Sequence, residues 1–281
     1  MSVRIILDST ADVNTAIRDR FTVVPLTVLF GREEFIDGVT ITQREFYEKL
    51  VESDVLPTTS QATPEAFDRV FAQVQQAGES AVVLTLSSKL SGTYQSAMIA
   101  AQEYENIHVV DTGSAAIGAG ILAELALRLA DAGMAAGEIA RHLEQEKKNV
   151  CIIAMVDTLE YLKKGGRISK TVAMAGALLN IKPVLSVEDG EIIMLGKARG
   201  SKQGNNLLVA QIEKAGGVDF TRPVLLGYTG LTDAYLCKYI DDSRHIWAEG
   251  AQSLPYTIVG SVIGTHAGPG AIAAAFFKKN P

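Results

Sequence analysis

Cysteine is scarce in this sequence, which has two among its 281 residues. Cys151 and Cys237 lie far apart and belong to no C-x-x-C pair and no Cys/His cluster. This excludes a disulfide framework and a zinc site of the usual ligand spacing. We therefore expect no metal site, and we expect the protein to be cytoplasmic.

Long apolar runs and an excess of positive charge are missing as well. The amino-terminal apolar run is too short for a signal peptide, and Glu124 and Arg128 interrupt the most apolar helical pattern, so we expect no stable membrane insertion. Lysine and arginine number 26 against 32 aspartate and glutamate residues. Because neutralising phosphates requires a basic face, this balance argues against a nucleic-acid partner.

The first half of the chain alternates between strand-like and helix-like segments. Thr42 and Thr63 have the chemistry of helix caps, the first in a capping box with Glu45 and the second directly before Pro64. The alternation predicts an α/β fold with a mainly parallel sheet flanked by helices. The predicted strands are 3–7, 22–29, 81–86 and 107–110, and the predicted helices are 44–51, 64–77, 93–104 and 115–130.

The second half has a different order of elements. Glu188-Asp189-Gly190 joins two strand-like segments as a hairpin turn would, which predicts antiparallel pairing. We therefore expect two domains, residues 1–150 with the parallel sheet and residues 151–281 as an α+β domain whose terminal helix begins around 263–271. The predicted strands of this half are 151–156, 182–187, 191–196, 224–228 and 256–260.

Three loops rich in hydroxyl groups adjoin predicted elements of the first half, at residues 8–12, 58–61 and 87–95. Taken singly, each loop also suits an ordinary helix cap or turn. Ligands of parallel sheets bind beyond the carboxyl ends of the strands, and loops gathered there would offer neutral donors to a carboxylate or phosphate. Both interpretations stay open at this point.

His266 stands in a frame of glycines and small residues that permits close approach of the backbone. A histidine in such a frame either contacts a ligand or serves the structure, and the sequence favours neither. His108, His142 and His245 lack this frame, so we interpret them as structural.

Six motifs occur along the chain, namely DSTAD (8–12), TSQ (59–61), SGTYQSA (91–97), YLKKGGRI (161–168), IKP (181–183) and IGTHAGPG (263–270). In this order they resemble the DegV family over essentially the whole chain. The resemblance implies a bacterial cytoplasmic protein that holds one palmitate-like long-chain fatty acid between two α/β domains. It also implies that the carboxylate is presented to a separate fatty acid kinase, which converts it to an acyl phosphate. The protein would then be a carrier and not an enzyme, with the fatty acid as its ligand and no cofactor.

The resemblance also assigns roles to individual residues. Carried over one by one, the contacts to the carboxylate fall on Thr59, Ser91 and His266. Hydroxyl groups can donate to a carboxylate without placing a cation beside a hydrocarbon tunnel. The supporting positions are Ser60, Gly92 and Thr93.

Two basic residues, Arg167 and Arg199, match family positions, for which we expect roles in structure or in docking of the kinase. The small apolar run at 173–179 would line the tunnel for the tail or form an ordinary packed helix. The chain departs from the family pattern at Ala62, where proline is common, and at Gly200, where a hydroxyl residue is common.

Two enzyme classes compete with the carrier. Ser91 and His266 could be nucleophile and base of a serine hydrolase acting on acyl esters, although the sequence has no G-x-S-x-G elbow and no obvious orienting acid. Residues 118–123 formally match a dinucleotide fingerprint, but they fall inside a predicted helix, where the backbone could not cradle a pyrophosphate.

Overall fold

The structure is a computed structural model that describes residues 2–168, 180–247 and 254–279. Its first half is built from short strands and helices in alternation. The strands are β1 (Val3–Asp8), β2 (Thr22–Val24), β3 (Thr27–Phe30), β4 (Glu33–Ile36), β5 (Thr58–Ser60), β6 (Ser80–Thr85) and β7 (Ile107–Asp111), and the helices are α1 (Gln43–Glu52), α2 (Pro64–Gln76), α3 (Thr93–Ala101), α4 (Ala116–Asp131) and α5 (Ala136–Glu146).

Strands β2, β1, β6 and β7 form, in that order, the predicted parallel sheet. Successive residues of β1 face opposite sides, as strand geometry requires. Ile5 and Leu7 pack on the side of α4 and α5, while Ile6 packs on the side of α1, α2 and α3. Helices therefore cover both faces, and the carboxyl ends of the strands lead into the loops at 8–12 and 86–92.

A three-stranded antiparallel sheet, in the order β4-β3-β5, was not predicted. The single strand expected over 22–29 is in fact two strands, because Pro25 lacks the N–H that a continuous ladder needs. Strand β2 joins the parallel sheet, whereas β3 turns away and pairs with β5 through Val28 and Thr59. This pairing fixes the position of Thr59.

The second half is organised around one mixed six-stranded sheet, in the order β10-β9-β8-β13-β11-β12. The predicted hairpin is confirmed, because Glu188 pairs with Glu191 across a turn in which Asp189 and Gly190 both have positive φ. The strands are β8 (Val150–Met155), β9 (Ile181–Glu188), β10 (Glu191–Arg199), β11 (Leu225–Tyr228), β12 (Tyr256–Ile258) and β13 (Ile272–Phe277), and the helices are α6 (Glu160–Gly165), α7 (Gly200–Lys214), α8 (Ala234–Asp242), α9 (Arg244–Trp247) and α10 (Ser261–Ala267).

The expectation that residues 263–271 follow the last strand and open a terminal helix was wrong. Helix α10 ends at Ala267, and strand β13 follows it in the interior of the sheet, paired with both β8 and β11. Alanine favours helices, but Gly268 and Gly270 adopt positive φ values of 70° and 81° and end the helix. Burial of residues 274–277 on both faces then makes a central strand the better arrangement.

The two halves share an apolar core. Helix α4 contributes Ile117 and Ile121 to a buried cluster that also contains Leu225 and Phe277 of the second sheet. We keep residues 1–150 and 151–281 as a proposal for the domain limits. Among the described residues, no helix has the length and apolar character needed to cross a bilayer.

Candidate functional site

A cavity of about 420 Å³ lies between residues of both halves of the chain. Its wall is mainly apolar, with polar side chains from β5, from the 86–92 loop, from Arg167 after α6, from α10, and from Ser186, Tyr228 and Thr229 of the second half. Apolar lining residues include Leu26, Leu86, Ile152, Leu185, Val262 and Ile272.

Thr59 and His266 meet in this wall although they are 207 positions apart in the sequence. Thr59 Oγ1 lies 2.9 Å from His266 Nε2. Strand β5 places the threonine, and the last turn of α10 places the histidine. The ring packs so closely against α6 that a Cβ at Gly165 would overlap it, which explains the glycine at that position.

The imidazole of His266 is neutral at physiological pH. Burial, together with the nearby charge of Arg167, lowers its pKa to about 4. The Nδ1 atom is buried and has no hydrogen-bond partner among the described residues. A neutral ring with one unpartnered nitrogen is suited to hydrogen bonding and is a weak general base near pH 7.

Ser91 lies in the loop between β6 and α3, and it also lines the cavity. Its Oγ is 2.9 Å from Thr93 Oγ1 and accepts the Thr93 N–H at 3.2 Å. Gly92, which precedes α3, also lines the cavity, and a Cβ there would overlap the amide of Gln61. The 59–61 and 91–93 segments therefore touch each other through this glycine.

Arg167 lies in the wall of the cavity together with Thr59, Ser91 and His266. Its Nε donates to the Leu90 carbonyl at 3.2 Å, so the guanidinium also holds the 86–92 loop against α6. The sequence reasoning relied on neutral donors alone, whereas the structure adds a cation to them. The other basic candidate, Arg199, is exposed at the end of β10 and does not line the cavity.

The structure also places other residues that the sequence singled out. Ser60 is exposed but lines the cavity. The 8–12 loop, expected to be among the donors, does not line it. The glycines at 118 and 120 lie inside α4, as predicted, where they permit close packing on Ile152 and Asp12. The tunnel segment at 173–179 lies outside the described residues.

The hydrolase arrangement is not formed by the described residues. His266 Nε2 pairs with Thr59, Ser91 pairs with Thr93, and no acid partners His266 Nδ1. The described residues also contain no cluster of side chains suited to a metal ion.

Ala116 is a cavity-lining residue that the sequence reasoning missed. It stands at the start of α4 with a φ of 51°, a left-handed conformation that is unusual for a residue other than glycine. No local sequence pattern predicts this conformation. The Ala116 carbonyl accepts the Asp12 N–H at 3.2 Å, so the start of α4 is bonded to the 8–12 loop.

The fold and the site together define a class of protein: an α/β protein with an apolar cavity between its two halves and with hydroxyl, imidazole and guanidinium groups at the cavity wall. The family model described as the uncharacterised DegV family matches residues 2–279. The chain belongs to the DegV family, which confirms the resemblance found in the sequence.

Similar proteins come from several bacteria. A DegV domain-containing protein of Caldanaerobacter subterraneus is 34% identical, with 99% of each chain covered. A solved structure of a fatty acid-binding DegV family protein from Thermus thermophilus is 31% identical and superposes with a TM-score of 0.87, covering 99% of this chain and 100% of that one. A stearic acid-binding protein from Eubacterium ventriosum is 26% identical, with a TM-score of 0.87 and 98% of both chains covered.

Proposed function

We propose that the protein binds one long-chain fatty acid, with its tail in the cavity and its carboxylate at Thr59, Ser91 and His266. The observation that carries the proposal is the meeting of these polar groups with Arg167 in the wall of an otherwise apolar cavity. At about 0.8 kcal/mol per buried methylene, a long tail contributes on the order of 10 kcal/mol before ordering and association losses. The tail then supplies affinity, and the polar groups supply orientation.

The hydrogen-bond chemistry of His266 supports this role for Thr59. A buried N–H without an acceptor is rarer than an unpartnered acceptor, so we assign the proton to Nε2 and leave the lone pair on Nδ1. Nε2–H then donates to Thr59 Oγ1, and the hydroxyl hydrogen of Thr59 is free to donate to a carboxylate. Arg167 supplies the opposite charge nearby.

We further propose that the protein is a cytoplasmic carrier that presents the carboxylate to a fatty acid kinase for acyl phosphate formation. The pairing of His266 with Thr59 in place of Ser91, and its lowered pKa, favour a holding role over nucleophilic catalysis. Arg199 is exposed and free of the cavity, which suits it to kinase docking.

Native mass spectrometry of freshly purified protein tests the binding proposal. We expect one fatty acid per chain, released intact as free acid on denaturation. A chain that carries no fatty acid and takes up none on incubation with palmitate would contradict it. Incubation with an activated acyl ester tests the rival: a burst of alcohol release with an acyl group left on Ser91 would establish the hydrolase instead.

A further inference from the structure

The loop Asp8–Asp12, which follows β1, makes long-range hydrogen bonds although it does not line the cavity. Three of its side chains each accept a backbone N–H from a distant segment. The three donors are Leu86, Leu26 and Gly260. Each donor stands at or near the start of a segment that leads to one of the three proposed carboxylate contacts.

Asp8 holds the segment that carries Ser91. Its Oδ2 accepts the Leu86 N–H at 2.7 Å, and its Oδ1 accepts both the N–H and the hydroxyl of Thr10. From Leu86 the chain enters a turn in which the Ser91 N–H bonds the Ser87 carbonyl at 3.2 Å. Both carboxylate oxygens of Asp8 are therefore occupied as acceptors, and one of them fixes the origin of the Ser91 turn.

Ser9 holds the strand that positions Thr59. Its Oγ accepts the Leu26 N–H at 3.1 Å, directly before β3 begins. Strand β3 then pairs with β5, where Val28 lies opposite Thr59. The position of β5, and of Thr59 within it, therefore depends on the hydrogen bond that joins the start of β3 to Ser9.

Asp12 holds the helix that carries His266. Its Oδ1 accepts the N–H of Gly260 at 2.8 Å, across 248 positions of sequence, and Gly260 is the residue that caps α10. The second oxygen, Oδ2, is buried and has no partner among the described residues. Asp12 thus links a loop of the first half to the helix of the second half that contributes the imidazole.

We propose that Asp8, Ser9 and Asp12 are positioning residues that together set the relative positions of Ser91, Thr59 and His266. One loop serves as a common reference for three segments that are remote in sequence, so the three contacts form a single constellation. This inference rests on the proposed function, because the loop is proposed to position residues that bind the carboxylate of a fatty acid.

The test compares the affinity for palmitate with the affinity for hexadecanol, which has the same tail and no carboxylate. The ratio of the two isolates the contribution of the head group from that of the cavity as a whole. For Asp12→Ala we expect this ratio to fall by about tenfold. The substitution removes the hydrogen bond that joins Gly260, at the start of α10, to the 8–12 loop, so His266 is no longer held in position. Asp12→Asn should restore the ratio, because an amide oxygen can still accept the Gly260 N–H.

Asp8→Asn should lower the ratio, unlike Asp12→Asn, because both Asp8 oxygens accept hydrogen bonds and an amide retains only one acceptor oxygen. Ser9→Ala is the mildest of the substitutions, and we expect it to lower the ratio as well. It takes the place of Asp12→Ala if that variant is too unstable to assay. Val74→Ala is the matched control: Val74 is a fully buried residue of α2 that does not line the cavity, so stability should fall while the ratio stays unchanged.

An unchanged ratio in Asp8→Asn, Ser9→Ala and Asp12→Ala would overturn the inference. If the wild-type protein binds neither ligand, the proposed function fails, and the role of the loop is decided by the imidazole signals of His266 in the NMR spectrum. Signals in Asp12→Ala that are displaced from those of the wild type and of Asp12→Asn support positioning. Identical signals in all three proteins overturn it.

Discussion

His266 gains its character from three neighbours: Thr59 at its Nε2 edge, Gly165 beside its Nδ1 edge, and Arg167 nearby. Burial excludes the charged imidazolium, so the ring acts as a neutral hydrogen-bonding group beside a permanently charged guanidinium. The positive charge of the site therefore comes from Arg167 and not from His266.

The first prediction separates orientation from affinity. Replacing Thr59 with Val and Ser91 with Ala should weaken fatty acid binding by about 1–3 kcal/mol, because hydrogen bonds to the carboxylate are lost while the apolar cavity remains. If the proposed fatty acid kinase acts on the bound carboxylate, phosphorylation should fall further than binding, since misplacement by about 1 Å can cost ~10²-fold. Titration of palmitate and kinase-coupled turnover are compared for the variant. Equal losses in both would show that the residues contribute binding alone.

The second prediction concerns the pKa of His266. Arg167→Gln removes the neighbouring cation, so the pKa should rise from about 4, yet it should stay below 6.5 because the ring is still buried. Arg167→Lys keeps the charge and is the control. An NMR titration of the ring measures the values, and a pKa equal in Arg167→Gln and the wild type would remove Arg167 from the electrostatics of the site.

At the scale of elements, the position of α10 depends on a close approach to α1. A Cβ at Gly264 would lie 2.6 Å from Tyr47 Oη and 2.8 Å from Phe46 Cε1, and both aromatic rings are fully buried. Tyr47 also donates its hydroxyl hydrogen to the Val259 carbonyl at 2.9 Å, just before α10. Helix, glycine and tyrosine together hold His266 at the cavity.

The third prediction follows from this contact. Gly264→Ala should destabilise the protein by about 1–3 kcal/mol, because the rings cannot move away within a packed core. Palmitate binding should weaken as well, since α10 shifts and carries His266 with it. Urea unfolding and palmitate titration measure the two effects. A variant as stable as the wild type would show that the α1–α10 contact is loose.

Local chemistry predicted much of the secondary structure. The capping box at Thr42 and the cap at Thr63 begin α1 and α2 as expected. The predictions that failed concerned segments whose structure depends on contacts remote in sequence. Pro25 divides one apolar run between two sheets, and the alanine-rich segment after Gly270 becomes a central strand because the rest of the sheet surrounds it. Neither outcome is encoded in the periodicity of the segment itself.

The same limit applies to the site. The pairing of Thr59 with His266 came from the family resemblance, since no spacing rule relates residues 207 positions apart. Arg167 followed from the resemblance too, but its place in the wall depends on how α6 meets the 86–92 loop. The 8–12 loop was recognised as a motif, yet its bonds to Leu86 and Gly260 depend on tertiary structure.

At the scale of the whole molecule, ionisation of the buried carboxyl groups in the 8–12 loop lowers the free energy of unfolding. Burial raises the pKa of Asp8 from an ordinary 3.8 to about 6, although hydrogen bonds from Thr10 and Leu86 oppose the rise. Between these values the folded state binds more protons than the unfolded state, so stability falls as pH rises through this window. Above pH 6 the contribution of Asp8 to the free energy of unfolding is lower than its value below pH 3.8 by on the order of 3 kcal/mol.

The fourth prediction is therefore a pH dependence that one substitution alters. From pH 4 to pH 7 the stability of the wild type relative to Asp8→Asn should decline, because the variant has no carboxyl group to ionise at this position. Urea unfolding of both proteins across this range gives the difference and cancels the contribution of the other carboxyl groups. A difference that is constant with pH would show that Asp8 is not protonated in the folded state.

The cavity between the two halves of the chain is proposed to hold a fatty acid by its tail and to orient its carboxylate at Thr59, Ser91 and His266. A crystal structure of the protein grown with palmitate tests it most directly. We expect continuous density for the tail in the cavity, with a carboxylate oxygen within about 3 Å of Thr59 Oγ1 and of Ser91 Oγ. A carboxylate bound away from both hydroxyls, or a tail outside the cavity, would contradict it.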